Sequence, residues 1–305
     1  MASTDRQVVI ITGAGRGLGR AHALEFARRG AAVVVNDLGA GLDGTGKAED
    51  PAQQVVEEVR ALGGEAIANG SDISGPEGAQ KLFQDALNEW GRVDVLVNNA
   101  GILRDRMLVN MSIDEWDAVV KVHLRGTFAP MSVAAQHWRE LSKQGEDVDA
   151  RIINTTSSSG IYGNPGQINY GAAKAGIAAM TVIAAQELRR YGITVNAIAP
   201  AALTRMTENL NPNRPQVAEG EWNPGAPENV SPVVAWLASP SAREVTGRVF
   251  NVRGGHVSVA EGWVAGPTEE KEGGPWTVDE LDVVLPSMIA EARANSLTSG
   301  RTPEA

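Results

Sequence analysis

The stretch Val8-Val9-Ile10-Ile11-Thr12-Gly13-Ala14-Gly15-Arg16-Gly17-Leu18-Gly19 decides the fold. Its β-branched start, ending at glycine, reads as a buried parallel strand. The residues beyond it, with Ala21, Leu24, Phe26 and Ala27 on one side and Gly30 as the stop, read as a helix over Arg20 to Arg29. Between the two, Gly13, Gly15, Gly17 and Gly19 let the backbone turn tightly and approach a pyrophosphate, with Arg16 and Leu18 carried in the same turn. A helix that starts at such a turn directs free N–H groups at the anion. Glycine spacing alone is a weak signal, and its place between a strand and a helix strengthens it. The next strand, Ala32 to Val35, leads to Asn36-Asp37. A carboxylate there would bond the adenosine ribose and repel a 2′-phosphate, which favours NAD. Arg16 argues the other way, because a basic residue in this loop can contact a 2′-phosphate; Asp37 is weighed more heavily.

Outward from this unit, strands and helices alternate. Ala66–Ala68, Val93–Val97, Arg151–Thr155, Thr194–Ile198 and Val249–Val252 read as strands. Helical patterns fill Ala52–Leu62 and the stretches 76–90, 112–142, 171–190 and 228–238. Such alternation predicts an α/β domain with a mainly parallel, doubly wound sheet covered on both faces. Leu38 to Asp50 is a Gly- and Asp-rich loop. The region 205–227, with Pro212, Pro215, Pro224 and Pro227, reads as an irregular lid or a disordered loop. The α/β domain is thus expected over 1–260, with an extension over 261–305. From Pro267 onward that extension has three basic side chains against eight acidic ones, a net −5 of the chain's −10. A helix over Trp276–Ala294 would dock on the domain or on a partner subunit, or stand as a solvated appendage.

The acidic balance disfavours nucleic acid as a partner. Without cysteine, disulfides, zinc–thiolate sites and thiol catalysis are excluded. The N-terminus has no signal-peptide pattern and no apolar run approaches the ~20 residues of a membrane span. Pro303-Glu304-Ala305 is not a peroxisomal signal. A cytoplasmic protein with no membrane partner is the expectation.

The glycine loop resembles that of the short-chain dehydrogenase/reductase family, and the resemblance recurs in chain order over about residues 6 to 258. Asp72-Ile73 looks like the family's adenine contact. Asn98-Asn99-Ala100-Gly101 matches its Asn-Asn-Ala-Gly motif. Tyr170-Gly-Ala-Ala-Lys174 matches Tyr-x-x-x-Lys, with Ser157 thirteen residues upstream. Pro200 looks like the end of the sixth strand, and Thr204 is a candidate for the nicotinamide carboxamide, one residue out of the commonest register. The resemblance implies a single seven-stranded Rossmann-type domain and a homodimer or homotetramer. Val33-Val-Val-Asn-Asp-Leu-Gly39, Gly101-Ile-Leu-Arg-Asp-Arg106, Val122-His-Leu-Arg-Gly126 and Ser159-Gly-Ile-Tyr-Gly163 are closer still to one branch. That branch is the (3R)-3-hydroxyacyl-CoA dehydrogenases of peroxisomal multifunctional enzyme type 2 and their bacterial relatives. It implies an acyl-CoA substrate, including bulky or steroid-derived chains.

For such chemistry Tyr170 would exchange the hydroxyl proton. Free tyrosine, with a pKa of about 10, is a poor base at neutral pH. Lys174, one helical turn on, would lower it together with the charge of oxidised nicotinamide. Ser157 would orient the substrate oxygen, although Ser158 and Ser159 adjoin it. His123 stands where the family commonly has an asparagine; it could hold the same helix distortion and titrate near neutrality, or be a core histidine. Asn98 and Asn99 could bond the cofactor ribose or cross-link strands. Tyr162 could line the substrate pocket or pack. Arg104 and Arg106 could reach CoA phosphates or be a solvated turn. Rival functions are an NADPH-dependent reductase of 3-oxoacyl carriers, a free hydroxysteroid dehydrogenase and a non-catalytic cofactor-binding scaffold. The intact Ser157, Tyr170 and Lys174 argue against the scaffold.

Overall fold

The computed structural model describes residues 6–41, 43–46, 50–203, 217–218 and 220–302. Eight strands form one sheet: β1 Val8–Thr12, β2 Ala32–Asn36, β3 Glu65–Asn69, β4 Val95–Asn98, β5 Ala150–Thr155, β6 Ile193–Pro200, β7 Val249–Arg253 and β8 His256–Ala260. Their order is β3-β2-β1-β4-β5-β6-β7-β8. The first seven are parallel, as the alternating pattern predicts. The eighth is an addition: Gly254-Gly255 turns the chain back, and β8 pairs antiparallel with β7. The direction of winding reverses between β1 and β4, which opens a crevice at the carboxyl ends of the strands.

The helices are α1 Gly17–Arg28, α2 Pro51–Ala61, α3 Pro76–Trp90, α4 Ile113–Val120, α5 Gly126–Lys143, α6 Ser158–Tyr162, α7 Ile168–Leu188, α8 Ser231–Leu237 and α9 Val278–Glu291. Local sequence sets several ends. Asp50 caps α2 ahead of Pro51, Ser112 and Glu115 form a capping box on α4, and Gly91 stops α3 at φ 73°. Alternate strand residues feed the two cores. Val9, Ile11, Val33, Val35 and Val97 pack with the residues of α1, α2 and α8. Val8, Ile10, Val34, Leu96 and Ile152 face Leu82 and Phe83 of α3 and Trp138 of α5. The Trp138 indole N–H donates to the Val93 carbonyl at 2.8 Å, so its burial leaves no donor stranded.

The helix expected over 112–142 is not continuous. A π-helical turn, Lys121–Arg125, separates α4 from α5, with His123 inside it. α7 is long and apolar enough, by length and composition, to cross a bilayer. Here its Ala173, Ile177, Thr181 and Ala185 are buried and the helix packs against β6. In the extension, α9 has a Thr277–Glu280 capping box and no buried residue. The chain beyond it returns to the domain, where the Thr298 hydroxyl donates to the Gly163 carbonyl at 2.7 Å. Of the expected lid, 205–216 and Ala218-adjacent residue 219 lie outside the described residues.

Candidate active site

One cavity of about 1040 Å³ runs along the carboxyl ends of the strands. Its walls include Gly13, Arg16, Gly17, Leu18, Asp37, Asp72, Ile73, Asn99, Ala100 and Gly101 at one end. Ser157, Tyr170, Lys174, Pro200 and His123 line the other. Thr204 lies outside the described residues.

The glycine turn leaves no room for side chains. Gly13 sits at φ 62°, and a Cβ there would stand 2.6 Å from the Ala100 Cα. A Cβ on Gly19 would stand 2.2 Å from the Gly13 carbonyl oxygen. Gly15 and Gly19 therefore shape the turn without lining the cavity. The Asp37 carboxylate accepts from the Gly15 N–H at 3.0 Å and the Gly39 N–H at 2.8 Å, which fixes it at the end of β2. The Asn99 side chain donates to the carbonyls of Thr12 and Gly13, both at 3.1 Å. Asn98 donates to Asn154 at 2.9 Å. Both asparagines are thus strand cross-links through their amide donors. Asp72 accepts from the Ser74 N–H and hydroxyl at 2.9 and 2.6 Å. Burial pushes its carboxyl up, and these bonds with Lys121 bring it below the ordinary range. This cradle fits a dinucleotide: bare backbone, the N-terminus of the 12-residue α1 and an oriented acid share one wall.

At the other end α6 and α7 bring the remaining side chains together. A Cβ on Gly160 would stand 2.6 Å from the Ala175 nitrogen, so glycine is what allows α6 to lie on α7. The Lys174 ammonium is buried, donates to the Thr155 carbonyl at 2.6 Å and lies 5.6 Å from the Tyr170 ring centre. Burial lowers its pKa to about 7. The protein alone holds the Tyr170 phenol above its ordinary value. Burial raises its pKa, the Ser157 hydrogen bond lowers it, and the charge of Asp105 raises it again.

His123 does not titrate near neutrality, contrary to the expectation that it could. It is buried, its pKa is lowered to about 3 chiefly by that burial, and the Lys174 charge adds to the effect. Its Nε2 lies 2.7 Å from the Ile102 carbonyl oxygen and 3.1 Å from the Ile102 nitrogen, and its ring meets Tyr170 edge-on at 5.1 Å. A Cβ on Gly101 would stand 2.3 Å from its Cε1. His123 is therefore a neutral wedge between the π-turn, the 101–102 backbone and Tyr170.

Sequence reading missed a polar network beside Ser157. The Ser157 hydroxyl oxygen accepts from the Ser159 N–H at 3.2 Å. The Ser159 hydroxyl donates to Gln167 Oε1 at 2.7 Å, which also accepts from Asn164 Nδ2 at 2.9 Å. Gln167 Nε2 donates to the Asp105 carboxylate at 2.7 Å. The only sequence signal for Gln167 is its place three residues before Tyr170. Arg106 pairs with Glu115 at 2.9 Å and Arg104 donates to the Asp43 carbonyl at 2.9 Å. Neither lines the cavity. Tyr162 packs: its hydroxyl accepts from Asn251 Nδ2 at 3.0 Å, and its ring lies beside Gly300.

A doubly wound sheet, a glycine cradle and a buried lysine beside a tyrosine define a nicotinamide-dependent oxidoreductase. The chain belongs to the short chain dehydrogenase family, whose model matches residues 7–215. It is 44% identical to hydroxyacyl-CoA dehydrogenase ChsB1 of Mycobacterium tuberculosis, over 98% of this chain and 90% of that protein. It is 45% identical to peroxisomal multifunctional enzyme type 2 of Mus musculus over 85% of this chain, which is 32% of that longer protein. A crystal structure of a short chain dehydrogenase from Mycobacterium avium superimposes with a TM-score of 0.85 at 51% identity, covering 98% of both chains.

Proposed function

We propose that the protein oxidises (3R)-3-hydroxyacyl-CoA thioesters with NAD as acceptor, including esters with bulky or steroid-derived chains. The observation that carries the chemistry is the convergence of Ser157, Tyr170 and Lys174 on one cavity. The names of the relatives support the substrate class. When bound, the nicotinamide supplies the hydride acceptor. Tyr170 takes the hydroxyl proton, and Ser157 holds the substrate oxygen through its own hydroxyl. Lys174, anchored on the Thr155 carbonyl, places a positive charge beside the phenol and holds the nicotinamide ribose. Asp37 would favour NAD by meeting the ribose as an acceptor and repelling a 2′-phosphate. His123 keeps Tyr170 in position as a neutral ring. Exposed Phe128 of α5 and Ile183 of α7 supply apolar surface for a homodimer or homotetramer.

A second reading is reduction of 3-oxoacyl carriers with NADPH. Arg16 favours it, because this side chain lines the cavity with no protein partner among the described residues. The test is NADH formation with NAD or NADP and a panel of 3-hydroxyacyl-CoA esters and free hydroxysteroids. Turnover of the CoA esters with NAD is the expected result. Turnover confined to free hydroxysteroids discards the thioester, and a preference for NADP discards the role given to Asp37.

A further inference from the structure

The cavity wall has a charge pattern that hydride transfer does not require. Among the described residues its lysines and arginines are Arg16, Lys174 and Arg253. Lys174 is committed to the Thr155 carbonyl. Arg16 belongs to the glycine turn. Arg253 lies at the opposite end, on the last residue of β7, and is exposed without a hydrogen-bond or ion-pair partner among the described residues. His256 faces it across the Gly254-Gly255 turn as its register partner and lines the same wall. The acids of the wall, Asp37 and Asp72, both lie at the glycine-turn end. The β7–β8 end is thus cationic and unneutralised.

Position separates this end from the cofactor cradle. β7 is five places from β2 in the sheet order and two from β5, which leads to Ser157. Pro200 and Ala201, at the end of β6, tie directly to it, because the Ala201 N–H donates to the Val252 carbonyl at 2.9 Å. Beyond the turn, Trp222 is exposed and its ring would lie 3.7 Å from a Cβ on Gly255. A guanidinium forks onto phosphate oxygens, and an exposed indole offers a flat face for stacking a nucleobase.

We propose that the β7–β8 turn is an anion subsite in which Arg253, with His256 beside it, holds the phosphates of the substrate's coenzyme A moiety. The inference rests on the thioester reading above. It gives to Arg253 the task that Arg104 and Arg106, both engaged elsewhere, do not perform.

The experiment compares each 3-hydroxyacyl-CoA with the N-acetylcysteamine thioester of the same acid, which keeps the reacting atoms and lacks every phosphate. For Arg253→Ala, KM for the CoA ester rises roughly tenfold or more, as for loss of a charge-assisted phosphate contact. KM for the N-acetylcysteamine ester and kcat for both remain as in the unaltered protein. Arg253→Lys recovers part of the loss, and added salt raises KM for the CoA ester less in Arg253→Ala than in the unaltered protein. Equal changes with both esters, or no change with either, overturn the subsite and leave the thioester reading standing. An unaltered protein that uses neither ester but oxidises free alcohols overturns both.

Discussion

At the β1–β2 end of the cavity the working surface is backbone; at the β5–β7 end it is side chains. Gly13 and Gly17 take positive φ, and Asp37, whose carboxylate bonds the turn, is held by two main-chain N–H groups. At the other end, Ser157, Ser159, Gln167 and Asp105 are joined in series by hydrogen bonds of 2.7 to 3.2 Å. Those four residues come from three segments separated by up to 62 positions. The first end must exclude Cβ atoms, and that requirement is local. The second must bring distant groups into register, which only the completed fold accomplishes. Substitutions at the backbone end should therefore act on cofactor affinity and stability together, and those at the side-chain end on rate and pH dependence.

The largest effect tests the side-chain end. Tyr170→Phe keeps the ring against His123 and removes only the hydroxyl. Turnover should fall by roughly a thousandfold or more, while cofactor titration by fluorescence remains as before. Retention of near-normal rate would remove Tyr170 from the chemistry. At the backbone end, Gly13→Ala forces a Cβ to within 2.6 Å of the Ala100 Cα at a positive φ. A loss of about 1–3 kcal/mol of stability is expected, together with cofactor binding weakened roughly 10- to 100-fold. Thermal unfolding and cofactor titration on one preparation check whether the two effects travel together. A variant with normal affinity and melting would show that the turn tolerates a side chain.

Asp37→Ala should have a smaller effect, confined to choice of cofactor. The ratio of kcat/KM for NAD over NADP is expected to fall about tenfold. The same substitution frees the Gly15 and Gly39 N–H groups, so a modest loss of melting temperature accompanies it. An unchanged ratio transfers cofactor choice to Arg16 or to the loop after β2.

How much could be read in advance follows the same division. Gly13, Gly15, Gly17 and Gly19 announce themselves because sterics leave no alternative, and strands such as Val33-Val34-Val35 announce themselves because both faces are buried. Tyr170 and Lys174 are legible because one helical turn places them together. The π-turn at Lys121–Arg125 is not, since it leaves the apolar periodicity of 112–142 intact. Nor is the neutrality of His123, which comes from its burial in the completed fold and from the charge of Lys174, 51 positions later in the chain. β8 escaped because Val257 and Val259 sit on an exposed edge strand beside a glycine turn. Gln167 and Asp105 carry no spacing that distinguishes them from loop residues. The protein's own push on the Tyr170 pKa is illegible for a related reason: it comes from burial and from Asp105, which its own helical turn does not reveal.

That last coupling yields the smallest and most discriminating prediction. Asp105→Asn leaves an acceptor for Gln167 Nε2, so the network and the fold should survive. It removes a negative charge that raises the Tyr170 pKa. Oxidation needs the phenol deprotonated, so its rate rises with pH through that pKa. Lowering the pKa must move the rising limb of the kcat profile toward lower pH. His123→Asn is the control. Its imidazole, with a pKa lowered to about 3, is neutral throughout the range in which the limb is measured. Replacing it can lower the rate by loosening Tyr170, but it removes no charge from the site there. A limb displaced by Asp105→Asn and not by His123→Asn means that the carboxylate reaches the chemistry through its charge. A limb unmoved by either means that solvent screens Asp105, and that its bond to Gln167 serves only to hold the loop.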